Sequence, residues 1–446
     1  MTMDIKGIAE QLVKRCLKKG ADAAEVYIET GRNLSLDVRK GDIETVQEAA
    51  GAGAGIRVFV KGRMAFASSN DLGEKALGDA VGRAIEFARI TTADPNNVLP
   101  DDPGTTEVAG LYDPRVAQVP MEEKIELAKS LEKLAMKDPR ITKSDGASYR
   151  ESEGEVVIAN SNGLLKGYKS TGCGYGVSVV AEKGEQKSSG GDSCSRRFYA
   201  DLKPAEEVAA KAAREAYGML DPRTVKTQRA PVIFHADISR ALLGGILGAV
   251  DGERVIQGAS FLGKKLGQKI GSELMIIVDD GTREKGMASA PFDGEGVPTG
   301  KRVIVDQGVL KGFLYNAAVA KRAGVRSTGN ASRDGFSSLP GIGPHNFFMA
   351  AGAAKFDDII AATKSGLLVK GITGYGINPV NGNFSGGASG FWVENGKIAF
   401  PVRGLTIAGT AEEILDGIDM MADDLDLNLS MAAPTVRVRI LQIGGE

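Results

Sequence analysis

Glycine constrains this chain more than any other residue. It fills 59 of the 446 positions, about twice the ~7% share of an ordinary protein. The glycines stand between alternating apolar runs and not in low-complexity tracts. Lacking a Cβ, glycine suits hairpins, bulges and close backbone approaches, and it weakens the middle of a helix. A β-rich fold with glycine-bearing turns is therefore expected.

Hydrophobic periodicity sets the elements within that frame. Ile5, Ile8, Ala9, Leu12, Val13 and Cys16 fall at helical spacing, and Gly20 follows as a stop. Alternation then predicts strands over Glu25–Thr30, Leu34–Arg39, Glu44–Ala49, Ile56–Val60 and Met64–Ser68, with glycine-bearing turns between most of them. A helix from Gly73 to Ile90 closes this first unit, 1–93. Residues 94–120 hold five prolines among polar residues and read as a connector. The pattern then recurs over 121–225: a helix at Met121–Met136, strands at Glu155–Asn160, Leu164–Thr171 and Tyr175–Glu182, and a helix at Pro204–Tyr217. Gly53-Ala54-Gly55-Ile56-Arg57-Val58 in the first unit is echoed by Gly174-Tyr175-Gly176-Val177-Ser178-Val179 in the second. Either the units are an internal duplication or two hairpins use glycine alike. From 226 to 446 the chain changes to dense glycine turns, with strands at Arg302–Val305 and Arg437–Leu441 and helices near Ala317–Ala323 and Asp357–Thr363. The expected class is α+β: helix-and-strand units followed by a larger, mainly antiparallel β domain with helices.

Charge excludes several functions. With 55 Lys+Arg against 57 Asp+Glu and a net charge of −2, no basic face suggests nucleic acid. The longest apolar stretch, Ala241–Val250, is half of the ~20 residues a membrane span needs. Met1 to Cys16 mixes charged and apolar residues and does not read as a secretory signal. A cytoplasmic location is expected. Cys16, Cys173 and Cys194 are odd in number and form no C-x-x-C pair, so reduced structural thiols are expected.

Few residues could carry chemistry. Gly51-Ala52-Gly53-Ala54-Gly55 places Ile56 where a dinucleotide loop needs its third glycine, and a strand pattern follows instead of a helix. Only two histidines exist, His235 and His345, far apart in sequence, whereas a catalytic zinc takes three protein ligands. Ser389 sits in Gly387-Ala388-Ser389-Gly390-Phe391, which lacks the last glycine of a nucleophile elbow. The acid pairs Asp279-Asp280, Asp357-Asp358 and Asp423-Asp424 could hold a hard cation, but neighbours on a strand face opposite ways.

The C-terminal part carries a more specific series. Val278-Asp279-Asp280-Gly281-Thr282 is followed by Pro291-Phe292-Asp293-Gly294-Glu295-Gly296, by Gly308-Val309-Leu310-Lys311-Gly312, and by Ser327-Thr328-Gly329-Asn330-Ala331-Ser332-Arg333. Asn383-Phe384-Ser385-Gly386-Gly387 through Trp392-Val393-Glu394-Asn395-Gly396 and Pro401-Val402-Arg403-Gly404 complete it. In this order the phrases resemble the TldD/PmbA family, whose members have been called modulators of DNA gyrase or peptidase-like proteins. The resemblance is densest from 278 to 410.

That resemblance implies a cytoplasmic zinc metallopeptidase of two related subunits. One type carries His-Glu-x-x-x-His and a later Cys as ligands, leaving zinc one open position for water, with the Glu as general base. Here the matching stretch reads Gly244-Gly245-Ile246-Leu247-Gly248-Ala249, and no cysteine follows Cys194. Three ligands and the base are missing, so the chain resembles the PmbA (TldE) type and no catalytic, cofactor or metal residue is assigned. The implied role is a non-catalytic subunit that pairs with a TldD-like zinc subunit in degrading or maturing peptides. It would grip an unfolded peptide along an exposed strand, with the glycines flanking Phe384-Ser385 and the Ser327–Arg333 segment as candidate lining. Two alternatives stay open: a homodimeric peptide-binding or regulatory protein without hydrolytic activity, and an enzyme working through Asp279, Asp280 or Ser389. A homodimer is expected when the chain is alone.

Overall fold

The computed structural model describes residues 4–374 and 376–446. Helix α1 (Ile5–Lys18) starts where the Asp4 carboxylate accepts the N–H of Gly7, satisfying a donor the helix itself cannot. Its buried positions, Ile5, Ala9, Leu12, Val13 and Cys16, recur at helical spacing. Strands β1 (Ala23–Arg39), β2 (Asp42–Val60) and β3 (Arg63–Ser69) follow, then α2 (Glu74–Ile90). After the single turn α3 (Arg115–Gln118), helix α4 (Met121–Ala135) leads into β4 (Ile141–Asn160), β5 (Leu165–Lys183), β6 (Gln186–Arg196) and α5 (Ala205–Gly218).

The strands run longer than their local patterns suggested. Gly31 lies inside β1, and Gly51, Gly53 and Gly55 lie inside β2, where turns were expected. The reason is close approach: a Cβ on Gly53 would stand 2.3 Å from the Phe336 ring, and one on Gly55 2.2 Å from the Phe336 carbonyl oxygen.

These six strands form one antiparallel sheet in the order β3-β2-β1-β4-β5-β6, so the two helix-and-strand units join edge to edge along β1 and β4. Alternate residues of a strand share a face. In β1, Val26 and Ile28 pack with α1 and α2, while Leu34, Leu36 and Val38 pack with α4 and α5. All four helices thus cover one face.

The C-terminal part begins with β7 (Gln228–Phe234), α6 (Ala236–Ala249), α7 (Gly252–Ile256), β8 (Ile277–Asp280), β9 (Lys301–Asp306), β10 (Val309–Leu310) and α8 (Ala317–Ala323). Next come the paired β11 (Ala331–Ser332) and β12 (Gly341–Ile342), β13 (Asn346–Met349), α9 (Phe356–Ala361), β14 (Ser365–Thr373), β15 (Asn383–Glu394) and β16 (Lys397–Thr410). The chain ends through α10 (Ala411–Asp416), β17 (Ile418–Met421), β18 (Met431–Ala432) and β19 (Val436–Gly444). One sheet runs β16-β15-β14-β7-β19-β17, and a further pairing of β16 with β19 closes it on itself. Phe234 and Phe384 meet edge to face in its core, 6.2 Å apart. A second sheet runs β10-β9-β8-β13-β18. The molecule is α+β with mainly antiparallel sheets, as expected.

The free face of the N-terminal sheet seats the C-terminal part through buried charges. Arg57 on β2 lies 2.7 Å from Glu25 on β1 and 3.0 Å from Glu295, and Arg333 is a second partner of Glu25. Among the described residues no helix is long and apolar enough to cross a membrane.

Candidate functional site: a cleft over helix α6

Helix α6 follows β7 directly, with His235 as its N-cap; the ring Nδ1 accepts the Asp237 N–H at 3.3 Å. Leu242, Leu243, Ile246 and Ala249 are buried. The helix also carries Gly244, Gly245 and Gly248, each less favourable than alanine in a helix interior by about 1 kcal/mol. Two of them are required by packing. A Cβ on Gly245 would meet the Ile377 carbonyl oxygen at 2.4 Å, and one on Gly248 would meet Pro379 at 2.9 Å. Gly244 is different: nothing lies within 4 Å of the place its Cβ would take. It lines an opening of about 510 Å³ with Asp237, Arg240 and Ile372.

That opening shares Asp237, Arg240 and Leu429 with a cleft of about 880 Å³ between the N-terminal sheet and the C-terminal part. The part of the sheet left uncovered on its helix-free face supplies the floor. Asp37, Ser148, Gly176 and Ser193 lie side by side across β1, β4, β5 and β6, and all four line the cleft. The next row, Ser35, Arg150, Gly174 and Ser195, continues into an adjoining hollow of about 410 Å³. Small residues keep this floor low.

One wall is a chain of ion pairs from α5 to α6. Lys211 lies 3.2 Å from Asp192 and 3.4 Å from Asp237; Lys370 lies 2.8 Å from Glu215 and 3.5 Å from Asp237. The hydrogen bond with His235, and then the charges of His235, Lys211 and Lys370, hold the Asp237 carboxyl well below the usual carboxylate range. Two strand edges border the cleft. β6 is the outer strand of its sheet, and β14 pairs with β7 only as far as Val369 opposite Phe234, leaving Gly371 and Ile372 without a strand on that side.

Most residues singled out from the sequence lie elsewhere or serve packing. His345 donates its backbone N–H to Asp279 at 2.7 Å, and its Nε2 is 2.8 Å from the Gly329 carbonyl. Asp279 also accepts from Asn330, Asp280 from Thr282, and Asp424 from Thr435. Asp423 pairs with Lys355, and Asp358 caps Lys355 at the start of α9; Asp357 lies in the first turn of that helix. Cys16, Cys173 and Cys194 are free and buried. Phe384 is core and Ser327–Arg333 lies away from the large cleft, with Ala331, Ser332 and Arg333 lining a smaller cavity of about 220 Å³. Ser389, opposite Gly371, does line the cleft, as do Lys211, Asp237, Arg240 and Lys370. Sequence reasoning missed the last four because they are scattered and match no ligand or nucleophile spacing; only Asp237 carries a local signal, as an acid in the first turn of a helix.

A zinc site fails on donors and on space. Gly244 and Gly245 offer no ligand atom, and a donor at 249 would start from a fully buried position in the apolar core. Among the described residues no group of three or more His, Cys, Asp or Glu side chains is gathered for a metal. The residues present do not fit the zinc of the His-Glu-x-x-x-His pattern.

Three family models match the chain: PmbA/TldA metallopeptidase domain 1 over 24–88, the central domain over 114–220, and the C-terminal domain over 227–445. The chain is 33% identical to the metalloprotease PmbA of Escherichia coli O157:H7, covering 98% of this chain and 96% of that one. It is 27% identical to a metalloprotease TldD homologue of Haemophilus influenzae, covering 93% and 88% respectively. The crystal structure of TldE from Thermococcus kodakarensis superposes with a TM-score of 0.91 at 26% identity, covering 98% of this chain and 100% of that one.

Proposed function

The chain belongs to the PmbA/TldD metallopeptidase family, and from that premise we propose that it is the subunit without the metal. It pairs in the cytoplasm with a TldD-like, zinc-bearing subunit that cleaves peptides, and it supplies part of the chamber and part of the grip. The observation that carries this reading is the state of α6: Gly244, Gly245 and Ala249 stand where the ligands and the base would be, and Gly245 is packed against Ile377. The cleft beside the helix is nevertheless kept open.

An extended peptide suits that cleft. The serine and glycine floor lets a backbone come close, and the edges of β6 and β14 offer unpaired N–H and C=O groups to any sequence. Lys211, Lys370, Arg240 and Asp237 supply mixed charge, so no single side-chain sign is selected. The test is to purify the chain alone and with a TldD-type subunit from the same organism, then measure zinc content and hydrolysis of an unfolded peptide. Alone, the chain should hold little zinc and cleave nothing; together, zinc and cleavage should follow the partner. Metal-dependent cleavage by the chain alone would overturn the reading. Peptide binding without any association with the partner would favour a standalone binding protein.

A further inference from the structure

Strand β2 is covered on one stretch only. β3 pairs with it from Ala54 to Val60, and beyond that point Asp42–Gly51 are exposed at every position, which is unusual for ten consecutive residues of a strand. Their backbone pairs with β1 alone. A bulge at Glu44 interrupts the ladder near the hairpin tip, leaving Thr45–Gly51 as a regular free edge. At ~3.4 Å per residue this edge is about 24 Å long.

Free edges normally carry lysine, proline or a covering segment that prevents another strand from adding. Between Lys40 and Arg57 there is no lysine, arginine or proline. Ile43 and Val46 are 44% and 48% exposed, an apolar pair on an otherwise unprotected strand.

We propose that the free edge of β2, Thr45–Gly51, is where the zinc-bearing sister subunit docks, adding a strand of its own to the six-stranded sheet. This rests on the pairing proposed above. Charge selects the sister over a second copy of this chain. Asp42, Glu44 and Glu48 are all acidic, and only Arg32 (2.5 Å from Glu48) and Arg39 (3.7 Å from Glu44) answer them from β1. A second copy would bring the same acids face to face, which disfavours cross-strand pairing. A sister strand with lysine or arginine would instead complete the ladder. Glu44 also lines the large cleft, so a strand added here would extend the chamber wall where this chain leaves it open.

The experiment measures affinity of the full chain for a TldD-type subunit by calorimetry, with thermal melting as the check on folding. Val46→Pro and Gln47→Pro are neighbours whose N–H groups point to opposite sides of the strand, so one of them blocks the free edge and leaves the β1 ladder intact. That variant, recognised by its unchanged melting, should bind about tenfold more weakly or worse, the loss of one or two strand hydrogen bonds. The double charge reversal Glu44→Lys with Glu48→Lys should also weaken binding. If wild type binds the sister and these folded variants bind equally well, the docking edge is refuted while the functional reading stands. If wild type does not bind, both fall.

Discussion

Asp293 holds three backbone N–H groups, those of Glu295, Val297 and Ala331, each at 2.9 Å, in a site 4% exposed. Burial and then the neighbouring Glu295 nonetheless push its carboxyl up to about 7, against those donors. An unfolded aspartate titrates near ~3.9. The folded state therefore holds a proton that the unfolded state gives up between these values, and stability falls as pH rises through the folded value. Melting followed from pH 5 to pH 8 should decline toward the alkaline end, and Asp293→Asn should flatten part of that decline. Equal declines in both proteins would count against this assignment. Nothing local in Pro291-Phe292-Asp293-Gly294 announces this behaviour, because the shift comes from burial beneath the N-terminal sheet and from Glu295.

At the scale of the element, α6 shows how a metal motif can be lost and the loss then fixed by packing. Three substitutions at adjoining positions should behave differently. Gly244→His meets open space and improves helix propensity, so its stability should stay within about 1 kcal/mol of wild type. Gly245→Glu drives a Cβ into Ile377 and buries a carboxylate, costing roughly 3 kcal/mol or more. Ala249→His places an imidazole at a fully buried position and should cost a similar amount. Urea unfolding of the three variants checks the order; a Gly245→Glu variant as stable as Gly244→His would show that the contact with Ile377 yields. The missing donors were legible in the sequence once the stretch was matched to the family. That Gly245 and Gly248 are also sterically required was not, since Ile377 and Pro379 arrive from more than a hundred residues away.

At the scale of the whole molecule, the N-terminal sheet and the C-terminal part are locked by Arg57 between Glu25 and Glu295. Removing one partner of a buried ion pair leaves the others uncompensated, at about 3–5 kcal/mol. Arg57→Met should lose about that much by denaturant unfolding, whereas Arg140→Met, whose pair with Asp138 is exposed, should lose at most about 1 kcal/mol. Comparable losses would mean that the buried network is not what joins the two parts. The cleft over α6 exists only because this docking leaves part of the sheet uncovered.

The sequence by itself determined what is local: helices α1, α4 and α5 from their apolar spacing, the strand-rich character from alternation and glycine, and the absence of donors at 244, 245 and 249. Those properties depend on which side chains must leave water, and neighbours along the chain report that. It misplaced Gly31 and Gly51–Gly55 in turns, because a glycine that ends a strand and one that admits Phe336 against a strand look alike from within the segment. Only the tertiary structure decided which face of the sheet stayed bare, which charges met beside α6, and which edge of β2 was left without a partner. Each is settled by how two separately folded surfaces fit together, and the alternation of a single strand specifies one buried face without saying what will lie on the other.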